Sequence, residues 1–291
     1  MSDQGPVPLV DILVRTEGFL RSKGIASPRL EAELLLAHVL KVQRLQLYLS
    51  HDRPMSTAEL EALRPLVARR GRREPLSWIL GHRGFHGIEL LIRPGVLDPR
   101  PDTETLVDAL LAQVPADDPG PVYVADIGCG SGAVGLAIAH ARPSVRLYAV
   151  DLDPNALAVT KENVAALGLA DRVGVLRGDL LDAIPASRPI HWVVSNPPYI
   201  PSLEIDGLMP EVSRHEPRRA LDGGRDGLDV VRRLVAQARQ RARTGLLVEI
   251  GHDQAGRATD LLRRAGFVDI RTWDDLQGIA RVVGGRIPAH P

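Results

Sequence analysis

The sequence holds one cysteine and three lysines in 291 residues, and each shortage excludes something. Cys129 alone closes no internal disulfide and cannot supply a multi-thiolate zinc site, so no metal is expected. A reducing, cytoplasmic setting fits that usage. Lys23, Lys41 and Lys161 leave arginine to carry nearly all of the positive charge. Genome composition is the blander account of this bias, and rigid, forked anion contacts are the sharper one. No run approaches the 18–20 consecutive apolar residues that a membrane-spanning helix needs. The opening MSDQGPVPLVDILVR lacks a basic segment followed by a long apolar block, so no signal peptide is expected. Net charge is also missing, with 36 basic residues balancing 36 acidic ones. A protein that coats nucleic acid needs a strong positive field, and this chain has none overall, although a local basic patch stays open.

What is present suffices for a folded protein of about two domains: 44% of the residues are hydrophobic. Residues 1–75 read as a small helical domain. Leu9, Ile12, Leu13 and Leu20 recur at helical spacing. Ser27-Pro28 offers a cap and a first-turn proline to the next helix. Ser56 and Glu59 have capping-box spacing, followed by Leu60, Leu63 and Val67 on one face. This segment carries 12 basic against 9 acidic residues. Arg69, Arg70, Arg72 and Arg73 supply much of that excess, either as a solvated helix end or as a docking patch for a phosphate-rich partner. Residues 76–102, with glycines and with Pro94, Pro99 and Pro101, read as an ordered linker containing a hairpin. Residues 103–291 read as a third, larger segment.

From about residue 121 strands alternate with helices. VYVADI, RLYAV, VGVLR, HWVVSN and GLLVEI are β-rich runs, and helical patterns fall near 132–141, 154–167, 226–242 and 252–265. Such alternation implies an α/β fold with a parallel sheet covered on both faces. FVDIRTW and ARVVGG read as a closing pair of strands.

The first of these strands runs into Asp126-Ile127-Gly128-Cys129-Gly130-Ser131-Gly132. Glycines there permit a tight turn and a close approach of backbone to ligand at a helix N-terminus. Gly130, Gly132 and Gly135 satisfy the dinucleotide spacing G-x-G-x-x-G, but a helix that starts with small residues produces that match easily. The register from Asp126 to Gly132 instead resembles the first motif of class I S-adenosylmethionine-dependent methyltransferases. Asp151, ending the next strand, can accept both ribose hydroxyl protons of either cofactor. Its plainer reading is a helix cap, a role for which Asp153 is better placed. Asp179, after the third strand, stands where a carboxylate meets an adenine amino group.

Ser195-Asn196-Pro197-Pro198-Tyr199 follows the fourth strand and is the most specific feature of the chain. Two successive prolines stiffen the segment and restrict the residue before each. The Asn196 side-chain oxygen and the Pro197 carbonyl can hold the two N–H protons of a planar NH₂ group, and Tyr199 offers a flat face for stacking. This arrangement suits a nitrogen with a delocalised lone pair, such as a carboxamide or an exocyclic base amine. Holding both N–H groups aligns that nitrogen for in-line methyl transfer and stabilises the developing positive charge. Cys129 reads as a small buried residue, not a nucleophile.

At this point the chain resembles the protein-(glutamine-N5) methyltransferases that modify peptide chain release factors. The resemblance covers nearly the whole sequence: SPRLEAELLLAHVL, EPLSWILGHRGFHG, DPRPDTETLVDALL, DIGCGSG, SNPPYI, EPRRALDGGRDGLD, LLVEIG and the stretch Asp274–Arg281. It implies a Rossmann-like class I methyltransferase domain with a mostly parallel seven-stranded sheet, behind a small N-terminal bundle that docks the substrate. S-adenosylmethionine is the implied cofactor, met by Asp126, Gly128, Cys129, Gly130, Ser131, Gly132, Asp151 and Asn196, with Asp179 and Leu180 bordering its adenine. The implied substrate is the glutamine of the Gly-Gly-Gln loop in class I release factors, held by Asn196, Pro197, Pro198 and Tyr199. Arg100 and Thr103 are implied beside the active site, with helix capping and salt bridging as their plainer reading. No nucleic acid or membrane partner is implied, and a monomer is the default.

Two positions depart from the family pattern. Leu180 stands where many members carry tryptophan, which implies looser adenine packing. Asp98 stands where isoleucine is frequent, as a surface change or as a sign of different linker packing. Three rivals remain: the sibling enzyme that methylates a ribosomal-protein glutamine, an adenine-N6 DNA or RNA methyltransferase, and a non-catalytic cofactor-binding module. Neutral net charge and the lack of a separate target-recognition domain weigh against the second, and the intact tetrapeptide weighs against the third.

Overall fold

A computed structural model describes residues 7–288. Residues 1–6, part of the opening stretch read for a signal peptide, lie outside the described residues. The chain divides into two compact units, Met1–Gly81 with Pro210–His215, and His82–Met209 with Glu216–Pro291.

The first unit is helical: α1 (Leu9–Ser22), α2 (Pro28–Leu40), α3 (Arg44–Leu49), α4 (Thr57–Gly71) and α5 (Leu76–Leu80). Leu9, Leu13, Thr16 and Leu20 of α1 recur at three- or four-residue steps and are buried, forming the apolar stripe of an amphipathic helix. Leu9, Leu13 and Leu20 join Leu35 and Leu36 of α2, Leu63 of α4 and Ile79 of α5 in one core. Because Ile79 belongs to that core, the unit extends to Gly81, past the boundary expected at residue 75. The start of α4 carries the full reciprocal cap. Ser56 Oγ accepts the Glu59 N–H at 3.3 Å, and Glu59 Oε2 accepts the Ser56 N–H at 2.9 Å. Helix α2 begins at Pro28 as the sequence suggests, yet Ser27 makes no side-chain cap bond. At φ −119° and ψ 60° it lies outside the extended region from which a cap reaches the first turn.

The arginine cluster is neither a solvated helix end nor an open phosphate patch. Arg70 is 4% exposed and pairs with Glu31 and, at 2.8 Å, with Glu211 of the short helix α9 (Pro210–Ser213). Arg73 reaches the other Glu211 oxygen at 2.7 Å and also donates to the Lys23 and Gly24 carbonyls. Arg69 pairs with Glu74. Only Arg72 of the four is exposed. Forked guanidinium groups are used here to hold carboxylates inside the protein.

The second unit opens with a hairpin, β1 (His82–Phe85) and β2 (Ile88–Leu91), paired antiparallel. Its two turn residues, His86 and Gly87, both have positive φ, 43° and 79°. That geometry follows the right-handed twist of the strands. Helix α6 (Glu104–Leu111) follows a tight turn at Pro101–Thr103. The seven-stranded sheet is built from β3 (Val122–Ile127), β4 (Val145–Asp151), β5 (Val173–Arg177), β6 (Trp192–Ser195), β7 (Gly245–Glu249), β8 (Val268–Asp274) and β9 (Ala280–Arg286). Between them run α7 (Ala133–Ala141), α8 (Pro154–Ala166), α10 (Asp229–Arg241) and α11 (Ala255–Arg264).

The strand order is β5-β4-β3-β6-β7-β9-β8. Strands β3 to β7 pair parallel, and β9 inserts antiparallel between β7 and β8. The closing pair expected from sequence is therefore present, in an order the sequence does not reveal. The chain runs outward from β3 to β5, then returns to place β6 against the other side of β3. Ligands of open α/β sheets bind at such a reversal, beyond the carboxyl ends of the strands. Both sequence motifs, the glycine turn after β3 and the tetrapeptide after β6, fall there.

Candidate active site

The glycine turn owes its shape to Gly128, Gly130 and Gly132, at φ 71°, 57° and 86°, backbone states that side chains rarely adopt. A Cβ on Gly132 would also come within 2.7 Å of Leu136. Helix α8 holds the turn from behind. Thr160 Oγ1 donates to the Gly130 carbonyl at 2.8 Å, and Asn163 Nδ2 donates to the Ser131 carbonyl at 2.9 Å. Neither residue stood out in the sequence, because a polar residue on a helix face has no motif to mark it.

The turn borders a cleft of about 330 Å³. Gly128, Gly130, Asp151, Asp179, Leu180, Asn196 and Pro198 all line it, so residues scattered over 70 positions are brought to one wall. Asp151 is no helix cap. Its Oδ2 accepts the Gly130 N–H at 2.9 Å and its Oδ1 the Asp153 N–H at 2.8 Å, while Asp153 caps α8 through Asn155. Burial raises the Asp151 pKa, against the pull of those two N–H groups. Asp179 pairs with Arg233. Leu180 is buried at φ 51° in the cleft wall.

Other expected contacts lie behind the cleft. Asp126 is 1% exposed and accepts the Gly135 N–H at 2.9 Å, which ties the end of β3 to the first turn of α7. Burial pushes its pKa up to about 7. Cys129 is buried 3.6 Å from Thr160 Oγ1, and burial raises its thiol well above the usual range. Ser131 is buried too. Arg100 does not line the cleft; it grips both oxygens of buried Glu216 at 2.8 and 2.6 Å, the plainer of its two readings. Asp98 is no surface change. It is 6% exposed and pairs with Arg83 at 3.0 Å.

The tetrapeptide is held at both of its ends. Ser195 donates to the Ile127 carbonyl at 2.6 Å, locking the ends of β6 and β3 together. Asn196 Nδ2 donates to Thr103 Oγ1 at 3.1 Å. Thr103 is buried and makes no helix-cap bond. Tyr199 donates its hydroxyl proton to Glu249 Oε1 at 3.2 Å, and its carbonyl accepts from Gln254 at 2.8 Å. The segment 216–229 packs beneath. A Cβ on Gly223 would approach the Pro198 carbonyl oxygen to 2.7 Å, and one on Gly227 would collide with that of Tyr199. Glu249 escaped the sequence reading, although an acidic residue ending an otherwise apolar strand, GLLVE, was a visible signal.

Fold and site together define a Rossmann-like methyltransferase, and comparison with known proteins agrees. Residues 100–212 match the Methyltransferase small domain profile, and residues 11–81 match the PrmC N-terminal domain. The chain is 42% identical to the release factor glutamine methyltransferase of Geobacter sulfurreducens, across 95% of each chain. It is 39% identical to the enzyme of the same name from Rhodopirellula baltica, across 97% of each. The chain belongs to the release factor glutamine methyltransferase family. Among solved structures, the catalytic domain of human Mettl16 superposes with a TM-score of 0.58 at 17% identity, covering 77% of this chain and 82% of that one. That likeness concerns the fold.

The cofactor of a methyltransferase of this fold is S-adenosylmethionine, and the cleft has the features to hold it. A carboxylate at the end of β4 accepts from the backbone of a glycine turn whose positive φ angles suit glycine, beside an apolar wall at Leu180. No helix among the described residues is long and apolar enough to cross a membrane.

Proposed function

We propose that the protein methylates the side-chain amide nitrogen, N5, of the glutamine in the Gly-Gly-Gln loop of class I peptide chain release factors, acting as a cytoplasmic monomer. One observation carries this reading: Asn196 and Pro198 share a single cleft with Gly128, Gly130 and Asp151. The amide clamp and the cofactor turn thus face the same space. Gly128, Gly130, Asp151, Asp179 and Leu180 bind the cofactor, with Asp126, Cys129, Ser131 and Gly132 shaping the turn. Asn196, Pro197, Pro198 and Tyr199 hold the substrate amide, supported by Thr103. When bound, S-adenosylmethionine supplies an electrophilic sulfonium methyl group.

The chain's contribution is position. The Asn196 side-chain oxygen and the Pro197 carbonyl accept the two amide N–H groups, which fixes the nitrogen and its lone pair along the line of transfer. The same acceptors stabilise the positive charge that grows on nitrogen as its bond to the methyl carbon forms and the carbon–sulfur bond breaks. The methylated amide cation is strongly acidic, so its proton leaves without a dedicated base. The first unit serves as the docking domain for the release factor. Its match to the PrmC N-terminal domain supports this, as do the exposed apolar side chains Leu45 and Leu49 on α3.

The test is to incubate the protein with labelled S-adenosylmethionine and, in parallel, a release factor, a ribosomal protein and duplex DNA, then map label by mass spectrometry. Label is expected on the release-factor glutamine. Label on the ribosomal protein or on adenine instead would replace this reading with one of its rivals.

A further inference from the structure

Two stretches far apart in the chain line the cofactor cleft from outside the sheet: Gly95, Val96 and Leu97 in one, and Pro217, Arg219 and Ala220 in the other. Neither stretch belongs to a strand, so no ladder of backbone bonds sets its place. The joint between them is Arg100 and Glu216. The Glu216 side chain is fully buried, and Arg100 Nη2 donates to both of its oxygens, at 2.8 and 2.6 Å. Arg100 Nη1 lies 3.8 Å from Asp98 Oδ2, which also accepts from Arg83 at 3.0 Å. Glu216 adjoins Pro217, and Arg100 follows Leu97 by three positions. The ion pair therefore stands at the foot of both stretches.

Each stretch is also tied to the tetrapeptide at its far end. Thr103, three positions beyond Arg100, accepts from Asn196 at 3.1 Å. The Leu221 carbonyl accepts the Ile200 N–H at 3.0 Å, and the Ile200 carbonyl accepts the Gly223 N–H at 2.9 Å. With Arg100 and Glu216 joined, these bonds close a ring that passes through the tetrapeptide and runs beside the cleft. A buried ion pair is a poor source of stability, because desolvation cancels much of the attraction and apolar side chains of like volume serve as well. What the pair adds is a definite relative placement of two segments that nothing else joins directly at this end.

We infer that Arg100 and Glu216 are positioning residues for the cofactor cleft, their ion pair setting the spacing between the two stretches that border it. Cofactor binding is the readout, so the outcome does not depend on which substrate is methylated. The variants are Arg100→Met, which keeps the apolar stem, Glu216→Gln, which keeps the side-chain shape and one acceptor oxygen, and the double variant Arg100→Met/Glu216→Gln. S-adenosylmethionine is titrated into each by calorimetry, at a temperature where circular dichroism shows every variant folded. Amide hydrogen exchange is followed in the same proteins without cofactor.

Each single variant is expected to raise the cofactor Kd by about 10-fold, the size commonly lost when a partner behind a binding group is removed. The double variant should bind no more weakly than the worse single variant, because both changes break one joint. The amides of Val96 and of residues 220–222, which are hydrogen-bonded within their own stretches, should lose protection while β3 and β6 keep theirs, as a local opening requires. A Kd within about twofold of wild type in both single variants would overturn the inference. So would additive losses in the double variant, or protection lost evenly across the sheet, which would mark the pair as a general stabiliser. Glu216→Gln decides the matter even if Arg100→Met folds poorly.

Discussion

At the scale of single residues, the site divides into groups that face the cleft and groups that hold those groups still. Asn196 belongs to the first kind. Asn196→Ala should abolish turnover while leaving cofactor affinity largely intact, because the proposed cofactor contacts are the glycine turn and Asp151. A calorimetric titration in which affinity fell as far as activity would contradict that role. Asp126 belongs to the second kind, and its test is stability. Burial raises its pKa to about 7, so the folded protein keeps a proton that the unfolded chain releases near the ordinary carboxylate value. Between about pH 4 and pH 7 the folded state binds more protons, and stability falls as pH rises. A tenfold difference in proton affinity between the two states is worth about 1.4 kcal/mol, so the full effect is on the order of 4 kcal/mol. Asp126→Asn keeps an acceptor for the Gly135 N–H and removes the titration. Its stability relative to wild type should therefore climb from pH 4 to pH 7 and then level off. Urea unfolding at pH 5 and pH 8 measures this directly, and a difference independent of pH would refute it.

At the scale of elements, local chemistry was legible where two residues answer each other and illegible where a single residue was asked to signal alone. Ser56 and Glu59 specify a start because each satisfies the other's backbone N–H. Ser27 placed the start of α2 correctly but forms no cap, since the preceding turn sets its backbone angles. Ser56→Ala should cost about 1 kcal/mol, and Ser27→Ala only a few tenths. Equal costs in denaturant unfolding would undo the distinction. The tetrapeptide was legible for the same reason as the capping box: two prolines between an amide and an aromatic ring constrain one another. Its supports were not. Thr103 and Glu249 lie 93 and 53 positions from Asn196, and only the strand order brings them together. Gly223 and Gly227 carried no sequence signal for such a role, Gly227 falling within the helical pattern read near 226–242, yet each gives up its side chain to a tetrapeptide carbonyl. Gly227→Ala should therefore displace Tyr199 and lower kcat by at least about 10-fold, although residue 227 is not a clamp residue. An unchanged rate would show that the loop merely connects.

At the scale of the whole molecule, the alternation of strands and helices announced the parallel sheet, while the insertion of β9 between β7 and β8 was invisible. Periodicity reports which face of an element is buried, not which neighbour covers it. Chain continuity hid a second feature. The segment after the tetrapeptide leaves the sheet-containing unit at Met209, contributes Pro210–His215 to the helical unit, and returns at Glu216. Arg70 explains why that short stretch stays with the helices. Its buried guanidinium joins Glu31 of α2 to Glu211 of α9, and removing one member of a buried ion network strands the others without compensation. Arg70→Ala should destabilise the helical unit by about 3 kcal/mol, whereas Arg72→Ala, at an exposed position, should change stability by less than about 0.5 kcal/mol. Hydrogen exchange adds a sharper test, because local opening follows cooperative units. In Arg70→Ala, amides of residues 210–215 should lose protection together with those of α2 and α4, while β3 and β6 keep theirs. Protection in 210–215 that followed the sheet instead would mean that Glu211 takes its stability from the sheet-containing unit and not from Arg70.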